Sequence, residues 1–370
     1  MERRMGNDKY MSADINRRKV LINIVKGSIT GALLTTLGNR AFAIESDNNV
    51  PPHMPDSVWT QMRGFNYQPS YGSNGFELWQ KFDAKIIETE LAQGKHFFPK
   101  MNIIRWWQSW DAFLRDPERY GRNFTTTLEL AEKVGCQVMP CLFNRWHDKV
   151  LDYGGIYIDH FLPNCWVWKD RMFHAFLEGI VGQHSDDPRI VAWDLCNEPY
   201  TYSQQELFAD ITQAETVWLK SLYDICKDLG AQAPITVGIH PGMTLERLDP
   251  VCDLLSIHPY WIHDRHNASK EDFEKGLDAS VAFALKTNKP LMATECCWGS
   301  LDDKTRADSI RYTLSQLKQR NIGWTCYLLH HSLIADAHRP EFGPVGPPGN
   351  LAFIEANGTL RNGHEVFNEF

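Results

Sequence analysis

Eight short, strongly apolar runs separated by amphipathic stretches constrain this chain more than any other feature. The runs are Gly64–Tyr67, Asn102–Trp106, Gln137–Phe143, Ile190–Leu195, Ile235–Ile239, Leu254–His258, Leu291–Thr294 and Gly323–Leu328. Short apolar runs of this kind, bounded by polar turns, read as strands covered on both faces. Most of the intervals carry helical periodicity instead. Met172, Phe173, Phe176, Leu177, Ile180 and Val181 share one helical face. Leu207, Ile211, Trp218, Leu222 and Ile225 share another, opened by a capping box of Ser203 and Glu206. Gly135 and Gly230 stand where helices end on a left-handed residue. Strand and helix in alternation from residue 63 onward predict an α/β fold, a single (β/α)8 TIM barrel. A doubly wound open sheet shares the alternation, but no Gly-rich phosphate loop follows the first strand.

The first 43 residues read differently. Arg17-Arg18 precedes a mildly apolar stretch, Val20 to Leu37, which is interrupted by Lys26. Ala41-Phe42-Ala43 then offers the small residues that a signal peptidase requires. Residues 1–43 are therefore expected to be an export leader, and Asn16 to Leu21 resembles a twin-arginine signal. The apolar run is too short and too polar for a lasting transmembrane helix, so no permanent membrane anchor is expected. The folded domain would span residues 44–370 and work outside the cytoplasm, in the periplasm or beyond. No internal repeat or Pro/Gly-rich linker divides that span.

Charge narrows the partners. The whole chain carries −8, with eight of its 38 Lys/Arg and three of its 46 Asp/Glu before Ile44, so the remainder stands at −13. Such a surface repels polyanions, which argues against a nucleic-acid binder and suits neutral or cationic substrates. Nine cysteines, an odd number, exclude a fully paired disulfide framework. Cys141, Cys196, Cys252 and Cys326 fall inside apolar runs and read as buried thiols.

In a parallel barrel the chemistry belongs at the C-terminal ends of the strands. Polar residues do collect there: Asn66, Arg105, Asn144 to His147, Asn197, Glu198, His240, His258, Tyr260, Glu295, His330 and His331. Runs four and seven each end in a glutamate, Glu198 and Glu295, and those two strands face one another across a barrel mouth. Facing carboxyls are what glycosidic bond cleavage requires, one to protonate the leaving oxygen and one to attack or to activate water. Asn197 directly before Glu198 is placed to bond a sugar hydroxyl, and His258 and Tyr260 to orient the nucleophile. Trp106, Trp107 and Trp110 cluster after run two as stacking candidates. His258, His263 and His266 with Asp264 match no standard zinc spacing, and neither metal nor cofactor is expected.

These residues, in this order, resemble a clan A retaining glycoside hydrolase, nearest to the cellulase-type family 5. Asn197-Glu198-Pro199 matches that family's acid/base motif, and Glu295 its nucleophile. Arg105, His147, His258 and Tyr260 match the family's substrate-site positions, over roughly residues 60 to 335. The resemblance implies a carbohydrate substrate, a β-linked glucan or mannan, cleaved by double displacement. Glu198 would then hold a proton near neutral pH, helped by the negative charge of Glu295 nearby. The pattern departs at strand eight, where the family places a tryptophan as the floor for the sugar. Here Trp324 comes early, followed by Tyr327, His330 and His331, and Trp298 is the substitute candidate. An exo-acting β-glycosidase, its cleft closed by segments 147–168 and 330–350, stays open as a reading. So does a catalytically silent carbohydrate-binding barrel.

Overall fold

The computed structural model describes residues 51–145, 156, 160, 162, 164–200, 209–240, 244–261, 269–334 and 351–370. The leader, His147, the Ser203–Glu206 capping box, His263, Asp264, His266 and the Pro/Gly-rich segment 339–350 lie outside the described residues. All eight expected strands form. They are β1 (Arg63–Tyr67), β2 (Ile103–Trp107), β3 (Gln137–Asn144), β4 (Trp193–Asn197), β5 (Ile235–Ile239), β6 (Leu255–Ile257), β7 (Leu291–Ala293) and β8 (Gly323–Cys326). Every neighbour pair is parallel, and β8 returns to β1, so the sheet closes into a barrel in sequence order. This is the (β/α)8 architecture that the alternation predicts.

Helices among the described residues cover the outside. They are α1 (Gly75–Gln80), α2 (Ala84–Phe97), α3 (Trp110–Arg115), α4 (Pro117–Lys133), α5 (Trp166–Lys169), α6 (Met172–Ile180), α7 (Ala209–Asp228), α8 (Lys270–Thr287) and α9 (Asp303–Gln319). Local chemistry explains their ends. The Asp116 carboxylate accepts the Arg119 N–H ahead of α4, with Pro117 pre-set at the first helical position. Beyond α4 and α7, Gly135 and Gly230 adopt φ +69° and +83°, a left-handed turn that costs a glycine little. Between β5 and β6 the described chain holds only two short 3-10 turns, Leu245–Arg247 and Asp249–Val251.

The apolar core has two parts. Outside the barrel, residues such as Phe65, Phe98, Phe353 and Phe367 pack between strands and helices, with ring centroids 4.5–6.3 Å apart. Burying a side chain of this size contributes about 1.5–3 kcal/mol. Inside, Met62, Ile103, Met139, Val191, Ala192, Leu254 and Met292 close the N-terminal end. Above that plug the interior turns polar, and the period-two alternation of β2 carries Ile103, Arg105 and Trp107 up the same face.

Two strand expectations shift. Strand four starts later than the apolar run suggests, at Trp193, and Ile190 makes only a single bridge to Val138. Its pairing with β5 slips between Asp194 and Asn197, a bulge that re-aims the residues after it. Trp324 points into the sheet–helix layer, with the Arg63 guanidinium 3.7 Å from its ring centre and no exposure. It belongs to the core and is excluded as a sugar floor, because the strand's alternation turns it away from the barrel mouth.

All nine cysteines are free thiols, eight of them buried and Cys165 half-buried. No helix among the described residues is long and apolar enough to cross a membrane.

Candidate active site

Barrel closure brings six of the expected residues, Arg105, Asn197, Glu198, His258, Tyr260 and Glu295, to one place. Arg105, at the middle of β2, is completely buried and lies at the centre of the network. Its Nη1 donates to Glu295 Oε1 at 2.5 Å and to Asn66 Oδ1 at 2.7 Å, and its Nε donates to Asp194 Oδ2 at 2.8 Å. Its Nη2 donates to Asn197 Oδ1 at 2.9 Å, and Asn197 Nδ2 donates onward to Asn144 Oδ1 at 3.0 Å. A planar guanidinium suits such a fork, since its donors are fixed in direction and permanently charged. Asn66 in turn donates to the Thr294 carbonyl at 2.8 Å, which ties β1 to the residue before Glu295.

Glu295 therefore sits in a nest of donors. Tyr260 O–H donates to its Oε2 at 2.8 Å, and His258 Nδ1 lies 3.6 Å from the same oxygen. Burial alone pushes the carboxyl up. The charges of His258 and Arg105 and the hydrogen bonds from Tyr260 and Arg105 outweigh it, so Glu295 titrates below its ordinary 4.5. Tyr260 moves the other way. Burial, then the negative charges of Glu295 and Glu198, keep its phenol protonated well above the usual range.

Glu198 faces the same histidine. His258 Nδ1 and Glu198 Oε1 are 2.8 Å apart, and one proton lies on that line, on the ring or on the carboxyl. Thr294 Oγ1 meets His258 Nε2 at 3.1 Å, and Ser256 in turn contacts that hydroxyl. Gly238 leaves the room for this ring: a Cβ there would come within 2.5 Å of His258 Nε2. Glu198 holds a left-handed φ of +47°, and its N–H donates to the Gly238 carbonyl at 2.8 Å. Strain of this kind collects at functional positions. The bulge in β4 and this turn together aim Glu198 at Glu295. One oxygen each of Glu198 and Glu295, and a ring nitrogen of His258, lie within 4.8 Å of one another.

The aromatic candidates divide. Trp106 packs edge-on against Tyr67, and Trp110 against Phe173, so both belong to the core. Trp107 lies beside the site, its ring centre 5.3 Å from the Arg105 guanidinium carbon, grouped with Tyr327, Leu351 and Tyr260. Its indole N–H meets no acceptor among the described residues. Trp298 stands edge-on to Tyr260 at 5.4 Å and is only half-buried. Tyr327, the residue directly after β8, thus reaches the aromatic group that Trp324 does not. Asp194 was not singled out from the sequence, yet it anchors Arg105. Its one signal was a carboxylate inside an otherwise apolar strand, which needs a buried cation.

Among the described residues, two clusters have metal-ligand spacing. Glu198, His258 and Glu295 form one, though their facing atoms already engage each other, Arg105 and Tyr260. Cys296, Cys297 and Cys326 form the second.

The sequence profile of cellulase (glycosyl hydrolase family 5) matches residues 60–332. No curated protein sequence matches the chain. Among solved structures, the exo-β-1,4-mannosidase Op5Man5 of Opitutaceae bacterium strain TAV5 superposes with a TM-score of 0.64 at 16% identity. That match covers 85% of this chain and 61% of the mannosidase, so this chain spans less than two thirds of that protein's length. A Streptomyces cattleya GH5_18 protein in complex with Manβ1-4GlcNAc gives 0.63 at 14% identity, covering 83% of this chain and 79% of the other. Bacteroides uniformis β-glucuronidase 2 gives 0.60 at 15% identity over 83% of this chain and 34% of its own length. At such identities these likenesses show the shared barrel alone, whereas the profile spans most of the sequence. The chain belongs to the cellulase family, glycosyl hydrolase family 5.

Proposed function

We propose that the enzyme cleaves a β-glycosidic bond with retention of configuration, Glu295 acting as nucleophile and Glu198 as acid/base. The single observation that carries this reading is the approach of the two carboxyls to within 4.8 Å through one oxygen each. Retention calls for carboxyls about 5–5.5 Å apart, whereas inversion needs roughly 6.5–9.5 Å to seat a water. Their surroundings support different roles. Glu295, held ionised by Arg105 and Tyr260, attacks the anomeric carbon, while Glu198 gives its proton to the leaving oxygen. Water then opens the glycosyl-enzyme, with Glu198 taking the proton back.

The substrate we infer is a neutral β-linked glucan or mannan, or an oligosaccharide cut from one, since the excess of acidic residues disfavours anionic polymers. The mannosidase and the Manβ1-4GlcNAc complex among the structural neighbours favour the exo-acting, mannose-releasing variant. The test is a screen of residues 44–370 on aryl β-glycosides and on β-glucan, mannan and xylan, with the first-formed anomer read by proton NMR. The β anomer first supports retention, and the α anomer first rules it out. A ladder of oligosaccharides means endo action, and monosaccharide alone means exo. Binding without turnover on every glycan would favour a silent carbohydrate-binding barrel.

Tyr260→Phe removes one donor from ionised Glu295, and a hydrogen bond to a charged group is worth about 1.5–3 kcal/mol. Turnover should fall roughly 10–100-fold. The acid limb of kcat/KM should also move to higher pH, because the carboxylate loses a partner that held its pKa down. An acid limb left in place would dismiss Glu295 as its source.

The same reading makes residues 1–43 an export leader and the mature enzyme periplasmic or extracellular. Replacing Arg17-Arg18 with Lys-Lys should leave precursor in the cytoplasm. Unchanged export would point to the general secretory route.

A further inference from the structure

Immediately behind Glu295 the chain gathers three sulfurs that the hydrolytic reaction does not use. Cys296 and Cys297 follow the glutamate beyond the end of β7, and Cys326 closes β8. The Sγ atoms form a nearly equilateral triangle, with edges of 3.8 Å (Cys296–Cys326), 3.7 Å (Cys296–Cys297) and 3.7 Å (Cys297–Cys326). We propose that this triangle is a binding site for one thiophilic closed-shell cation, Zn²⁺ or Cu⁺.

The edge length is the first argument. Two sulfurs bound to a tetrahedral zinc at about 2.3 Å lie about 3.8 Å apart, so the three Sγ atoms already mark one face of a tetrahedron. A trigonal Cu⁺ site requires nearly the same triangle. The backbone is the second. Successive side chains of an extended chain diverge, so adjacent cysteines do not ordinarily converge. Cys297 adopts φ +71°, a left-handed conformation unusual for a residue with a Cβ, and its sulfur comes to lie beside that of Cys296. Three apolar core contacts would not require that turn.

Charge is the third argument. The cluster is fully shut from solvent, and among the described residues Arg63 acts on Cys326 while Arg306 of α9 acts on both Cys297 and Cys326. The Arg306 Nη2 donates to the carbonyls of Tyr327, at 3.1 Å, and of Leu351. Zn²⁺ with three thiolates carries −1, which the Arg306 guanidinium offsets. With Cu⁺ the same shell carries −2, which Arg306 and Arg63 together face. Because no sulfur reaches solvent, the ion would be taken up as the chain folds, and it would join the ends of β7 and β8 beside Glu295.

The full chain should be expressed with added Zn²⁺ or, under reducing conditions, Cu⁺, and its metal measured by mass spectrometry. The expected result is about one ion per chain, with X-ray absorption showing three sulfurs near 2.3 Å. Cys326→Ala should lower the content at least about tenfold, whereas Cys226→Ala, a buried thiol elsewhere, should not. Should Cys326→Ala fail to fold, chelator treatment of the wild type keeps the test open, because metal removal should lower its Tm. The idea is overturned by nine reactive thiols with no bound metal, or by seven, which would make the cluster a disulfide. Metal that persists in Cys326→Ala, or a Tm unmoved by a chelator, overturns it equally.

Discussion

Glu295→Gln is expected to lower kcat roughly 10⁴–10⁶-fold, the loss typical when a covalent nucleophile is removed. Gln has nearly the same shape, so the fold and the substrate KM should change little. An amide oxygen can still accept from Arg105 or Tyr260, yet it cannot form the glycosyl-enzyme. Glu198→Gln should behave differently. An aryl glycoside with a good leaving group needs no proton to depart, so its first step should survive and the intermediate should accumulate as a burst. Poor leaving groups should lose turnover as steeply as they do in the Glu295 variant. Steady-state rates against leaving-group pKa, for both variants, read the difference. Equal losses at every leaving group would remove the assigned division of roles.

Arg105→Met is expected to cost about 3–5 kcal/mol of stability, because it leaves the buried Asp194 charge without its counter-ion. Urea denaturation would measure it. The same change should reduce kcat/KM at least about 100-fold, since Glu295 loses its closest donor and Asn197 loses its anchor. Adding Asp194→Leu to Arg105→Met separates the two effects. The second substitution removes the orphaned charge and should recover part of the stability while activity stays low. Recovery of both would reduce Arg105 to a structural ion pair. The Glu295 carboxyl also ties stability to pH. Its folded pKa lies below the ordinary 4.5, so its contribution is complete above that value. It is lost as pH falls through the lower folded value.

Much of the site was legible because strand ends announce themselves locally. Asn197, Glu198, His258, Tyr260 and Glu295 each follow an apolar run, and a parallel barrel places such positions at one mouth. Trp107 and Trp298 were read as contacts to sugar, and each lies against a residue that donates to Glu295, Trp107 against Arg105 and Trp298 against Tyr260. Their neighbours Trp106 and Trp110 turned inward, a difference that composition does not record. Trp324 illustrates the limit. Its position along the chain is near the family's aromatic floor, but alternation within β8 directs it to the helices.

The order of strands and helices was set by the sequence alone, because apolar periodicity is a property of neighbouring residues and needs no distant partner. The carboxylate pair followed from that order. What the tertiary structure decided are contacts between residues far apart in the chain. Arg105 reaches Glu295 across 190 positions, and Asp194 becomes its counter-ion only once the barrel closes. The three converging sulfurs likewise depend on the register of β7 with β8 and on one left-handed residue, Cys297. Local pattern fixes which face of a strand is apolar. Only the closed barrel fixes which polar groups meet inside it, because each must find its partner on another strand to offset the loss of water.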